Sequence, residues 1–150
     1  MRLAVVGSRN FEFTDKAVAP GGPMTIHGVL ATWIDLDPDL HIVSGGCQGP
    51  DALAIGFAKL WHLGYTVFPA NWDVYGKAAG PVRNSRIVAF ADAVVAFHDG
   101  TSRGTADTIA KAKKAGKAVQ IYYPDGRCEE TPLADLKAQW RADKEMQEAS

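Results

Sequence analysis

The chain alternates short, nearly continuous apolar runs with longer stretches whose apolar positions recur every three or four residues. "LAVVG" (Leu3–Gly7), "HIVSGG" (His41–Gly46), "YTVFPA" (Tyr65–Ala70), "DAVVAFH" (Asp92–His98) and "KAVQIYY" (Lys117–Tyr123) are rich in β-branched residues and end in loops. Being apolar throughout rather than at alternate positions, they predict strands covered on both faces, as in a parallel sheet. Between them Ile26, Leu30, Trp33 and Ile34 recur at helical spacing, as do Leu53, Phe57, Leu60 and Trp61. Gly64 and Gly116 stand just past apolar helical runs as stop residues, and Thr105 is placed to cap the helix that begins there. Five β-α alternations with right-handed crossovers predict a Rossmann-like α/β fold: an open parallel sheet of about five strands with helices on both faces.

In such sheets ligands sit beyond the carboxyl ends of the strands, near the point where strand order reverses. Three of the predicted ends are rich in glycine or hydroxyls: Gly7-Ser8-Arg9, Ser44-Gly45-Gly46, and the run from Asp99 through Gly100, Thr101, Ser102, Arg103 and Gly104 to Thr105. Glycine lets backbone amides approach an anion, hydroxyls add donors, and a helix amino terminus contributes unpaired N–H groups and partial positive charge. Together the three ends form a candidate phosphate cradle. Neither the GxGxxG of a dinucleotide fold nor the GxxxxGK[ST] of a P-loop is present. A second polar concentration, "PANWDVYGKAAGPVRNSRIVAFA", places Lys77, Arg83, Asn84 and Arg86 at a loop followed by a helix. Near that helix start the fork of Arg83 suits a phosphate, and Asn84 suits a ribose or base edge. Asp51, after "GGCQGP", is expected as the cap of the second helix, with one oxygen left for the cleft.

Composition narrows the function classes. The chain has 150 residues, 47% of them hydrophobic, enough for one domain with a core built without metal or disulfides. The core is expected over about residues 1–123, followed by a turn and helix over 124–150. Lys+Arg 16 against Asp+Glu 17 gives a net charge of -1, which argues against gripping duplex DNA by phosphate neutralisation. Cys47 and Cys128 are the only cysteines and have no CxxC partner. Neither a disulfide framework nor zinc is expected, and a reducing cytoplasm is the natural compartment. His27, His41, His62 and His98 lack metal-ligand spacing; His98, beside the loop, is kept as an acid/base candidate. No metal, cofactor or membrane span is expected.

Four stretches, "VVGSRNFEFTD", "HIVSGGCQGPDALA", "PANWDVYGKAAGPVRNSRI" and "DAVVAFHDGTSRGTADTIAKAKKAGKAV", resemble the YpsA-related branch of the SLOG superfamily, which is related to DNA-processing protein A and to the LOG phosphoribohydrolases. The resemblance runs from about Met1 to Tyr123. It implies a Rossmann-like fold that binds nucleotides or nucleotide-derived ligands. The phosphate and ribose site it implies comprises Gly7, Ser8, Arg9, Gly45, Gly46, Asp51, Arg83, Asn84, Gly100, Ser102, Gly104 and Thr105, to which the loops themselves add Lys77 and Thr101.

Three functions follow in order of expectation. The first is a module that binds or senses a small nucleotide-derived ligand. The second is N-glycosidic hydrolysis of a nucleotide, as in the LOG enzymes. Their PGGxGTxxE loop supplies a glutamate where this chain has Thr108, so Asp51, Asp99 or Asp107, with Arg83, would have to serve the oxocarbenium-like state. The third is single-stranded nucleic-acid binding, with Trp72, Tyr75 and Arg86 as a stacking and basic surface, placed last because the net charge is near zero. Residues 10–23, with Phe11 and Phe13, read as a lid, and Trp33 and Trp61 as core. Leu133, Leu136 and Trp140 form an apolar stripe on a helix over Pro132–Met146, for which a homodimer partner is expected.

Overall fold

The computed structural model of the protein describes residues 1–130 together with Ala142, Glu145 and Met146. The stripe of Leu133, Leu136 and Trp140, on which the homodimer expectation rests, lies outside the described residues.

The strands are β1 (Arg2–Gly7), β2 (Val18–Ala19), β3 (Gly22–Pro23), β4 (His41–Ser44), β5 (Tyr65–Val67), β6 (Ala93–Phe97), β7 (Ala118–Tyr122) and β8 (Cys128–Glu130). The helices are α1 (Ile26–Leu36), α2 (Pro50–Leu60), the single turn α3 (Trp72–Tyr75), α4 (Ala79–Phe90) and α5 (Arg103–Lys114). The main sheet has six strands in the order β5-β4-β1-β6-β7-β8, and the first five are parallel. The sixth, β8, is antiparallel to β7 and follows it through a tight turn; its short polar sequence carries no apolar run. The apolar strand interiors explain the rest: all five residues of β6 and four of β1 are buried.

Helices cover both faces. Leu3, Val5, Val95 and Phe97 pack with Leu30, Trp33 and Phe57 of α1 and α2, while Ala4, Val6, Val94 and Ala96 pack with Ile87, Val88, Ile109 and Ala112 of α4 and α5. The face that α2 buries differs from the expected stripe. Ala54, Phe57 and Ala58 go inward, whereas Leu53, Leu60 and Trp61 are exposed. Small alanines allow the helix backbone to approach the sheet closely, which the bulkier leucines would prevent.

Chain order moves outward from β1 through β4 to β5, then returns to the other side of β1 at β6. The switch point therefore lies between β1 and β6, the place where such sheets open a crevice. The ends of these strands are tied together: the Ser8 amide donates to the Phe97 carbonyl at 3.0 Å, and the Asp99 amide donates to Ser8 Oγ at 3.1 Å.

Residues 10–23 do not form a free lid. The segment carries the β2–β3 hairpin, Phe11 is buried, and Phe11 and Phe13 pack edge-on against Phe97. At the end of α5 the expected stop is present. Gly116 has φ +72, and the Lys117 amide returns to the Ala112 carbonyl at 3.0 Å, a left-handed cap that a residue without Cβ adopts at little cost. At the end of α2 the left-handed residue is His62, with φ 56, rather than Gly64.

Candidate functional site

A cavity of about 400 Å³ opens at the switch point, walled by the end of β1, the loop before α2, the first turns of α4 and the amino terminus of α5. Of the expected site residues it brings together Gly7, Ser8, Arg9, Asp51, Arg83 and Asn84 with Asp99, Ser102, Gly104 and Thr105. Gly45, Gly46, Lys77, Thr101 and Asp107 do not line it, and Gly100 lines a neighbouring cleft instead. Asn10, Cys47 and Thr108 also line it, as do the apolar Val6 and Ile87. Asn10 and Cys47 directly follow the glycine-rich strand ends, which was the available signal for them.

Arg83 is pinned on two sides. Its Nε–H donates to Asn84 Oδ1 at 3.0 Å and its Nη1 donates to the Gly45 carbonyl at 3.0 Å. Asn84, buried, spends its amide nitrogen on the other wall, donating to Asp107 Oδ2 at 3.1 Å and to the Gly104 carbonyl at 3.4 Å. It therefore orients Arg83 and links α4 to α5, rather than presenting an edge to a ribose or base. Among the described residues Arg83 Nη2 has no protein acceptor, and it is the donor left for a ligand.

Gly45 acts by absence. A Cβ there would collide with the Arg83 guanidinium and lie 2.9 Å from Asp51 Oδ2, so glycine is what admits both groups. Asp51 is not the cap of α2. Gly49 holds that position, Pro50 follows, and the Asp51 carboxylate reaches back so that the Cys47 amide donates to its Oδ2 at 3.4 Å. Burial pushes the Asp51 carboxyl up to about 6, against the opposing pull of the Cys47 amide and the Arg83 charge. The glycine loop after β4 is thus already supplied with an acceptor, since the Gly46 amide also donates to Ser44 Oγ at 3.1 Å.

The amino terminus of α5 is different. Ser102, not Thr105, is the cap: its Oγ accepts from the Thr105 amide at 3.4 Å. Asp99 Oδ1 accepts from the amides of Thr101 and Ser102 at 2.8 Å each, and these bonds hold its carboxyl below the usual carboxylate range. This leaves the amides of Arg103 and Gly104, in the first turn, without a protein acceptor among the described residues, where the helix dipole also favours an anion.

Fewer features serve glycosidic hydrolysis. Thr108 is buried in the cavity wall with its hydroxyl donated to the Gly104 carbonyl at 3.1 Å. Asp107 is turned toward Asn84 and is paired with Lys111 Nζ at 2.8 Å. His98 does not line the cavity, and its buried Nδ1 makes no hydrogen bond among the described residues, lying 3.9 Å from Asp99 Oδ1. Among the described residues there is no grouping of side chains suited to a metal ion, and no helix long and apolar enough to cross a membrane.

No protein family and no curated protein matches the sequence. Solved structures do match in fold. The X-ray structure of DNA processing protein A (DprA) from Streptococcus pneumoniae superposes with a TM-score of 0.61 at 22% identity, over 81% of this chain and 50% of that one. DNA processing protein A from Helicobacter pylori, described for its single-stranded DNA binding mode, superposes with a TM-score of 0.54 at 17% identity, over 81% of this chain and 65% of that one. The chain thus spans half to two thirds of these proteins, and the likeness shows a shared Rossmann-like fold.

The comparison corrects the expected partner. The sequence puts a small nucleotide-derived ligand first and single-stranded nucleic acid last, yet the Helicobacter pylori protein of this fold binds single-stranded DNA. Net charge averages over the whole chain and does not register single donors, whereas a phosphate is held by the particular donors it meets. Arg9, Lys77 and Arg103 lie on the loops and first helical turns beyond the carboxyl ends of the strands, Arg83 and Arg86 follow one and two turns into α4, and the cavity wall sets Arg9 and Arg83 beside Asp51 and Asp99.

Proposed function

We propose that this chain binds single-stranded DNA, with a backbone phosphate seated in the switch-point cavity. The observation that carries the reading is the pinned guanidinium of Arg83, whose unpartnered Nη2 shares the cavity with the open amino-terminal turn of α5. Two hydrogen bonds fix the fork before a ligand arrives, so little side-chain entropy remains to be lost on binding. A charge-assisted bond from Arg83 and backbone N–H groups from α5 are the donors a phosphodiester accepts, and neither reads sequence.

Beside the cavity, Trp72 is exposed and rests against Gly80, three residues before Arg83 on the same helix face. Tyr75 is exposed too, and Arg86 donates to its hydroxyl at 3.1 Å with its guanidinium 5.7 Å from the ring centroid. An exposed indole and an arginine-braced phenol next to a phosphate site form a stacking platform that tolerates any base. The chain is assigned to the YpsA-related branch of the SLOG superfamily on its four motifs, with residues 1–150 taken as one domain.

The test is a fluorescence-anisotropy titration of labelled oligo(dT) against the full chain and Arg83→Ala at several salt concentrations, with a duplex of equal length as control. The expected result is single-strand binding that weakens with salt. For Arg83→Ala, affinity should fall on the order of 10- to 100-fold and the salt slope should drop by about one. Equal binding by the two proteins, or none at low salt, overturns the reading.

A further inference from the structure

A second cleft adjoins the phosphate cavity and shares two walls with it, Asn10 and Asp99. It lies between residues 10–16 and the turn joining β7 to β8, and its volume is about 890 Å³. Its sides are tied to each other: the Thr14 amide donates to the Pro124 carbonyl at 2.8 Å and the Thr14 hydroxyl to the same oxygen at 3.3 Å. The cleft is therefore preformed. Across the turn the Arg127 guanidinium lies 4.6 Å from the centroid of the Tyr123 ring, and its Nε donates to Asp125 Oδ2 at 3.0 Å. A guanidinium held over an aromatic ring offers its outer side as a surface on which a base stacks.

Sheet order puts these features in line. The α3 aromatics follow β5, the phosphate cavity stands at β1 and β6, and the turn holding Arg127 follows β7, all at the carboxyl edge of one sheet ordered β5-β4-β1-β6-β7-β8. From β5 to β8 that edge measures roughly 24 Å at the usual strand spacing. We propose that the cleft between residues 10–16 and 123–127 is a second strand subsite, so that single-stranded DNA runs along the carboxyl edge of the sheet from Trp72 through the cavity to Arg127. The occupied length is on the order of four nucleotides, at the short end of single-strand footprints.

Charge decides which part of a nucleotide enters. Glu12, Asp15, Asp99 and Asp125 outnumber Lys16 and Arg127 around the cleft. Asp125 is already paired with Arg127, and Asp99 accepts the loop amides. The interior takes a base, and Lys16 and Arg127 are the cations that the flanking phosphodiester meets.

This inference rests on the single-strand reading, and one ladder separates the two. Affinities of the full chain for dT2, dT3, dT4, dT6 and dT8 are measured alongside Arg127→Ala and Arg83→Ala. Arg127 is exposed, and the turn keeps the backbone bond from the residue 127 amide to Asp125 Oδ1, so the variant retains its fold. The expected outcome is affinity that climbs to about dT4 and then levels. Arg127→Ala should bind dT2 like the parent but lose about tenfold or more on dT4. If Arg127→Ala matches the parent at every length while Arg83→Ala is weakened, the second subsite is overturned and the phosphate reading stands. If no oligonucleotide binds the parent chain, the proposed function itself is overturned.

Discussion

Asn84 accepts the Nε–H of Arg83 at 3.0 Å and, through its amide nitrogen, donates to Asp107 at 3.1 Å. One buried side chain thus aims the cationic fork and joins the two helices that flank the phosphate cavity. Replacing it with alanine leaves the Nε–H of half-buried Arg83 without its acceptor and removes the bond to Asp107. Asn84→Ala should lose about 1–3 kcal/mol of stability in denaturant titrations and bind oligo(dT) at least several-fold more weakly. Asp107→Ala should lose less, since the Asn84 amide keeps the Gly104 carbonyl. Equal losses in the two variants would remove Asn84 as the positioning residue.

Gly45 allows a purely steric test. It has no positive φ, so a side chain there causes no backbone strain, only the clash with Arg83 and Asp51. Gly45→Ala should displace the guanidinium and reduce oligo(dT) affinity toward that of Arg83→Ala, within about a factor of three, while circular dichroism stays that of the parent. Parental affinity would show that Arg83 binds from another rotamer.

Asp51 makes binding and stability depend on pH. Its carboxyl is raised to about 6 in the fold, against about 3.9 for an unperturbed aspartate. The folded chain therefore holds a proton between about pH 4 and 6 that the unfolded chain has released. The resulting stabilisation is complete below about pH 4 and is lost as pH climbs through about 6, by up to about 3 kcal/mol. Unfolding free energies measured from pH 4 to 7.5 should show this decline in the parent and a flatter profile in Asp51→Asn. Oligo(dT) affinity should weaken over the same range, because an ionised Asp51 sets a negative charge beside the bound phosphate, and Asp51→Asn should flatten this trend also.

Trp72 should report the strand directly. Trp33 is fully buried, Trp61 caps α2 on the face of the sheet opposite α4, and Trp140 lies outside the described residues, so among the described tryptophans Trp72 is the one a base stacking beside the cavity meets. Saturating oligo(dT) should quench tryptophan emission in the parent and leave Trp72→Phe nearly unchanged. Trp72→Ala should weaken binding by on the order of 10- to 100-fold, the usual loss of one base stack.

Much of the fold was legible because strands inside a parallel sheet leave continuous apolar runs, and five such runs stand where the five parallel strands lie, although β5, at the edge, leaves Tyr65 and Val67 exposed rather than covered on both faces. β8 was not legible, since three polar residues at a sheet edge carry no such run. The cap of α5 was misplaced from Ser102 to Thr105 because both are hydroxyl residues within one turn, and only backbone geometry distinguishes them. Phe11 and Phe13 read as lid residues because their loop is polar, whereas their rings close over Phe97 from a distant strand.

The sequence by itself determined the alternation of strands and helices, the glycine-rich strand ends and the concentration of Arg83 and Asn84 at a helix start, since these depend on local periodicity and residue type. Tertiary structure alone decided that Asn84 is spent on aiming Arg83, that Asp51 fills the glycine loop as an acceptor, and that Arg9 and Arg83 meet in one cavity with Asp51 and Asp99. The bonds from Arg83 to Gly45 and from Asn84 to Asp107 cross 38 and 23 positions, and even the short-range bond from the Cys47 amide to Asp51 depends on how the loop folds back, which sequence spacing does not encode.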